Sequence, residues 1–280
     1  MALTLPLTLA APAGASSSGR NGGFAFQAEF GFKGMDADAI VRTGPRARAL
    51  LQVLDYGSAE QSYQSGPDWS PDGHWLAWGS NKSGHRLMIS RANGSHRRTV
   101  FGSAHDSVDN PAWSPTGRRL AFTHYGNIYT IHRNGTHLRR ILHTQSRYSS
   151  FYGLDWSARG QLVASSSVGK LFTIRPDGTH RHSLGTFGFG PDWAPHGGRV
   201  AYVNTSEHIS IMRANGSHKH SLGIKAHVNC LSWAPDGSRI AYISNSDDAL
   251  LTVRLDGRGT KMLGSPHGVM PGIYLAWRPL

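Results

Sequence analysis

At 280 residues, with 39 per cent hydrophobic residues and 34 glycines, the chain is long enough for one large core and too apolar for a disordered polymer. Its 29 Lys and Arg against 17 Asp and Glu give a formal net charge of +12, a field that attracts anions without naming one. A single cysteine, Cys230, excludes an internal disulfide framework and any multi-cysteine metal site; its neighbours Val228 and Leu231 mark it as a small buried hydrophobe.

Met1 to Ala15 run apolar into Ala-Pro-Ala-Gly-Ala, the pattern of a secretory signal core and cleavage site without the basic leading region. Residues 1–23 are therefore expected to be a signal-like or disordered leader, with the true start of the gene upstream and the mature chain secreted or periplasmic. No other stretch reaches the roughly 18 apolar residues that a membrane span needs. From residue 24 the pattern becomes one of strands. Phe24 to Ala28, Ala39 to Arg42 and Arg48 to Val53 read as second, third and fourth strands of a unit that lacks its first.

The first strand appears in the next unit and recurs. Trp69, Trp113, Trp156, Trp193, Trp233 and Trp277 are 44, 43, 37, 40 and 44 residues apart, the period of one four-stranded propeller blade. Their surroundings repeat too: Pro67-Asp68-Trp69-Ser70-Pro71-Asp72-Gly73 returns with small changes around Trp113, Trp193 and Trp233, and Leu154-Asp155-Trp156-Ser157-Ala158-Arg159-Gly160 loses only the proline. The tryptophan ends an inner strand, Pro presets φ for a turn, and Gly supplies the positive φ from which the next strand departs. A short apolar strand follows each turn, as in Trp75 to Trp78 or Val200 to Val203. A third strand then ends at Asn93-Gly94, Asn134-Gly135, Asp177-Gly178, Asn215-Gly216 or Asp256-Gly257, the strongest short-range hairpin signal. Tyr274 to Pro279 supply an inner strand with nothing after it, which predicts that the C-terminal strand completes the N-terminal unit and closes a ring. The expectation is all-β: one six-bladed β-propeller of four-stranded antiparallel blades over residues 24–280. The six tryptophans are expected in the core between sheets.

These motifs resemble the propeller repeats of the TolB family, over residues 24–280. The additional α/β domain that precedes the propeller in TolB itself has no counterpart in the sequence, so the resemblance implies the fold more than a Tol-Pal role. Similar repeats occur in prolyl oligopeptidase-like peptidases, whose hydrolase domain is missing here, and in some polysaccharide lyases, where central histidines hold a metal.

No nucleophile elbow, phosphate-binding glycine loop or His-Glu-x-x-His pair is present, which counts against hydrolase, kinase and zincin chemistry. The segments entering the inner strands would converge at one mouth of the central channel, the default ligand site. They carry Tyr63, His105, Asp106, Asp109, Arg147, Tyr148, Tyr152, Phe187, Lys225, His227, Asn229 and His267. This mixture suits a protein segment or an acidic cell-surface polymer, and the expected function is a non-catalytic, monomeric binding or scaffold module with no cofactor and no bound metal. The runner-up is a metal-assisted polysaccharide lyase with His105, His227 and His267 as ligands. A third reading, an electrostatic nucleic-acid binder, rests on charge alone. His96, His137, His180 and His218 each follow a hairpin glycine by two residues and are ascribed to turn geometry rather than to a metal ladder, since histidine tolerates positive φ. Asp68, Asp155 and Asp192 are expected to be buried and hydrogen-bonded to a neighbouring strand.

Overall fold

The computed structural model describes residues 21–32, 35–44, 50–56, 64–81, 84–104, 107–144, 150–227, 231–244, 246, 249–264 and 270–280. The described residues form antiparallel sheets, and none lies in a helix. The fold is an all-β propeller.

The N-terminal sheet holds β1 (Asn21–Phe32), β2 (Met35–Thr43) and β3 (Leu50–Tyr56). A second comprises β4 (Gln64–Trp69), β5 (Trp75–Ser80), β6 (His85–Arg91) and β7 (Arg98–Ser103). The third comprises β8 (Val108–Trp113), β9 (Arg119–His124), β10 (Asn127–His132) and β11 (Arg139–Leu142). Next come β12 (Phe151–Trp156), β13 (Leu162–Ser166), β14 (Lys170–Ile174), β15 (His182–Trp193), β16 (Arg199–Asn204), β17 (His208–Arg213) and β18 (His220–Lys225), joined in one seven-stranded sheet. The last sheet holds β19 (Leu231–Trp233), β20 (Arg239–Ile243), β21 (Leu250–Arg254) and β22 (Lys261–Gly264). The final strand, β23 (Met270–Pro279), returns to the first sheet, whose order is β23-β1-β2-β3.

Ring closure follows the expectation. Phe24 pairs with Trp277, Ala25 with Ala276 and Phe26 with Leu275, and the Phe24 and Trp277 rings lie 4.8 Å apart. The strand begins at Asn21, so residues 21–23 belong to it rather than to the leader expected there; residues 1–20 lie outside the described ones. The seven-stranded sheet departs from the expected series of separate four-stranded units. Its cause is β15, which runs without a loop: His182 and Ser183 pair with β14, whereas Gly188 to Trp193 pair with β16.

One packing rule builds the core. Each repeat tryptophan is at most 9 % exposed and packs on the preceding repeat, opposite a small residue of its second strand. Trp69 clusters with Ala25, Trp113 with Ala77, Trp156 with Ala121, Trp233 with Ala201 and Trp277 with Ala241. Trp193 meets Val163 instead. The repeated alanine, fully buried in each case, leaves the space that an indole fills. Since a tryptophan buries roughly 150–250 Å², these contacts dominate the energetics of the joints between sheets.

Inner strands also carry a bulge that the sequence did not announce. Gly66, Asn110, Gly153 and Gly190 have positive φ where the pairing register shifts. At Gly153 a side chain would meet Pro191 at 2.8 Å and Gly190 at 3.2 Å, so glycine is what lets adjacent bulges touch around the axis.

Candidate functional site

The second halves of six strands, β4, β8, β12, β15, β19 and β23, together with the turns that follow them, surround a cavity of about 480 Å³. Its wall is made of the repeated Asp-Trp-Ser/Ala-Pro residues, so the motif that fixes the core also shapes the cavity.

Three carboxyls line it. The Trp113 N–H donates to Asp68 Oδ2 at 2.7 Å, Trp193 N–H to Asp155 Oδ2 at 2.6 Å and Trp233 N–H to Asp192 Oδ2 at 2.6 Å. Each of these bonds crosses from one inner strand to the next. Two inner strands offer alanine, Ala112 and Ala276, where these have aspartate, and cannot accept such a bond. The aspartates one repeat further on compensate: the other oxygen of Asp155 accepts from its own Trp156 N–H at 2.7 Å, and Asp68 likewise takes the Trp69 N–H. Ser232 Oγ completes the set by accepting from Trp277 N–H at 3.1 Å. Three aspartates and one serine thus satisfy the backbone N–H of all six tryptophans. The expectation of strand-bridging aspartates holds, although all three are half-buried against the cavity rather than fully buried.

Indole N–H groups divide differently. Trp113 and Trp233 donate to the carbonyls of Asp68 and Asp192 at 3.2 and 3.1 Å, and Trp277 donates to Gly22 at 3.1 Å. The indole nitrogens of Trp69, Trp156 and Trp193 are buried with no partner.

Enclosure sets the titration of the carboxyls. Desolvation pushes Asp68 up to about 7, with the charge of Asp192 adding to it and the N–H donors of Trp113 and Trp69 opposing it. Asp192 is pushed up to about 7, again chiefly by desolvation. Asp155, desolvated and facing both other carboxyls, is raised well above the usual range, and it hydrogen-bonds to Asp192. His196 is the one basic side chain among the described residues of the wall.

Of the twelve residues expected at a channel mouth, five are described and seven lie outside the described residues. Tyr63, His105, Asp106, Arg147, Tyr148, Asn229 and His267 are not among the described ones. Asp109 sits early in β8, its carbonyl accepting from Thr123 Oγ1 at 3.0 Å. Tyr152 and Phe187 are 43 % and 48 % exposed, Lys225 is exposed, and His227 is partly buried with its N–H on the Ile243 carbonyl at 3.1 Å. None of these five contributes to the cavity wall, which is built at the exit ends of the inner strands rather than at their entries. Of the three proposed metal ligands only His227 is described, and no group of three or more His, Cys, Asp or Glu among the described residues is placed to hold a metal.

The hairpin histidines are turn residues. His96, His137, His180 and His218 have φ of 54°, 57°, 55° and 53°. Their ring Nδ1 atoms lie 3.0, 2.9, 2.8 and 3.0 Å from the preceding Ser or Thr hydroxyl, which itself donates to the Asn or Asp that opens the turn.

Comparison with known proteins agrees with this architecture. Residues 56–279 match the family model for the TolB beta propeller domain. A chain in a crystal structure of a nidogen/laminin complex superposes with a TM-score of 0.70 at 16% identity, covering 92% of this chain and 98% of its own. A TolB candidate from Agrobacterium tumefaciens gives 0.64 at 18% identity over 94% and 100%. An oligogalacturonate lyase in complex with manganese gives 0.54 at 13% identity over 92% and 76%. At these identities the structures share a fold and nothing more specific. No curated protein matches the sequence. Among the described residues, no helix is long and apolar enough to cross a membrane.

Proposed function

Because the chain belongs to the TolB beta propeller domain family, we propose that it is a non-catalytic, extracytoplasmic binding module that takes an extended protein segment into its central cavity. In this reading residues 24–280 are one domain and a monomer, and the seven-stranded sheet counts as two blades sharing β15, which gives six. The observation that carries the proposal is the cavity itself: about 480 Å³ of tryptophan, proline and aspartate surface facing a common axis. Pockets of this size with few polar groups are the usual seats for ligand groups. Its carboxyls are committed to backbone N–H groups of the ring, which makes them poor general acids or bases for a substrate. Three enclosed carboxyls and one histidine also disfavour an acidic polymer in this cavity and favour a neutral or basic segment.

The test is to fill the cavity. Ala158 is exposed at its edge, in the turn after β12, and Ala158→Trp would plug the opening without entering the core. Wild-type protein and a rim variant, Arg199→Ala/Arg213→Ala, should capture the same partner from an envelope extract, and Ala158→Trp should lose it. Equal capture by the plugged variant would show that the cavity is not the binding surface.

A further inference from the structure

The inner turns and the outer hairpins lie at one end of the propeller, where the Arg133 N–H bonds to the Arg118 carbonyl at 2.9 Å and the Ala92 N–H to the His74 carbonyl at 2.8 Å. On this face a cleft of about 630 Å³ starts at Pro115 and Trp156, both also part of the central cavity wall. A second cleft of about 620 Å³ shares Arg119, His132, Gly160 and Pro176 with the first and continues it outward. Together they form a radial groove between the β8–β11 sheet and the strands β12–β14, running from the cavity to the rim.

Its charge is one-sided. The outer part is lined by Arg119, His132, His137, Arg139, Arg159 and Arg175, against one carboxylate, Asp177. That carboxylate is already engaged: its Oδ1 accepts from Thr179 N–H at 2.9 Å and Thr179 Oγ1 at 2.7 Å. Arg139 is fixed across the groove by donating to the Asp177 carbonyl at 3.0 Å, which ties the two walls together. The His132 and His137 rings stack at 4.3 Å. Desolvation, His137 and Arg119 hold the His132 pKa below its ordinary value, as expected where positive groups crowd one another. Arg119, Arg159 and Arg175 are exposed, so their guanidinium forks are open to a ligand.

We infer that this groove binds an acidic oligosaccharide, with sulfate or carboxylate groups spaced along it seated on Arg119, Arg159 and Arg175. Guanidinium groups take both anions in bidentate geometry, and several forks along one groove match a polymer charged at every unit or two. A bound peptide would draw its affinity from apolar or aromatic anchors in desolvated pockets, and the outer cleft offers only Ile131 and Pro176. Single-stranded nucleic acid would call for exposed aromatic platforms, whereas Trp156, the one tryptophan in the groove, is 8 % exposed. The site goes beyond the protein-binding reading of the central cavity, which can fail without affecting it.

The experiment is calorimetric titration of the full chain with a heparin-derived octasaccharide, an octagalacturonate and neutral maltooctaose. Wild type should bind at least one acidic octasaccharide saturably, with sulfate and carboxylate preference read from the first two, and should ignore the third. Arg119→Ala/Arg159→Ala/Arg175→Ala should weaken that binding by about tenfold or more. The equal-charge control Arg199→Ala/Arg213→Ala/Arg254→Ala, which removes exposed arginines outside the groove, should change it by less than about threefold. Arg159→Ala alone, in an exposed turn, guards against misfolding of the triple variant and should still lose several-fold. Equal losses in both triple variants would reduce the effect to net charge and overturn the inference. So would equal binding of maltooctaose, absence of saturable binding, or a single-stranded oligonucleotide that binds more tightly with the same arginine dependence.

Discussion

The cavity wall and the rim hairpins are both built from repeated motifs, but the hydrogen bonds those motifs make differ in range. Asp68, Asp155, Asp192 and Ser232 reach residues 38 to 45 positions away and join one inner strand to the next. In the Asn/Asp-Gly-Ser/Thr-His hairpins the repeated side-chain bonds stay within the turn, one or two positions apart, and the link from Arg139 to the Asp177 carbonyl is not part of that pattern. Repetition at the centre therefore records how sheets are held together, and repetition at the rim records how a chain turns. Damage to the first should spread through the molecule; damage to the second should stay local.

The largest effect should come from cutting the ring. Deleting residues 270–280 removes β23, exposes the edge of β1 and should abolish a cooperative thermal transition by calorimetry. A sharp transition near the wild-type temperature would show that the sheets do not depend on closure. Next, Trp113→Ala should cost about 3–5 kcal/mol in chemical denaturation. A finer comparison is available in the indole nitrogens: Trp113→Phe breaks a bond to the Asp68 carbonyl, whereas Trp193→Phe removes a buried donor that has no partner. The first should be more destabilising by about 1–2 kcal/mol, and parity would mean the Nε1 bonds contribute nothing.

Titration of the wall is of comparable size. Asp192 has its folded-state pKa raised to about 7 from 3.8, so between roughly pH 4 and 7 the folded form holds a proton that the unfolded form has lost. Stability due to this group is full below about pH 4, declines as pH rises through that window and is flat above it. Asp192→Asn keeps an acceptor for Trp233 and cannot ionise, so it should flatten this slope and raise stability at pH 8 by on the order of 1–3 kcal/mol, with little gain at pH 4. Equal slopes for the two proteins by denaturation at several pH values would refute the assignment. The smallest change belongs to the rim: His137→Gly, at a φ of 57° that glycine accepts freely, should alter stability by less than about 0.5 kcal/mol.

Much of this comparison was legible in the sequence. The tryptophan period fixed the register of inner strands, the Pro-Asp-Gly and Asn-Gly pairs marked their turns, and Ala39 to Arg42 located β2 although its unit lacks a leading strand of its own. The hairpin histidines were recognisable as turn residues because their spacing from glycine never varied. Less could be read where an interaction depends on a position in another repeat. That Asp155 must take two N–H groups follows from Ala112 one repeat earlier, a relation visible only once the strands stand side by side. The cavity wall went unread for the same reason. Entry loops look variable and polar, whereas the wall of the cavity is the repeat motif itself, which reads as core. Arg119, Arg159 and Arg175 are scattered over 56 positions of sequence and share a groove only through the contact of two sheets.

The unbroken strand β15 has a mechanical consequence. Its first residues lie exposed at the rim beside β14, and its last, Pro191 to Trp193, line the cavity beside β16. No loop separates these halves, only the positive-φ positions Gly185 and Gly190, so a displacement at the outer edge near His182 has a short path along one strand to Asp192. The two halves of the seven-stranded sheet are therefore coupled through one strand, whereas the other sheets meet only through side chains and loops.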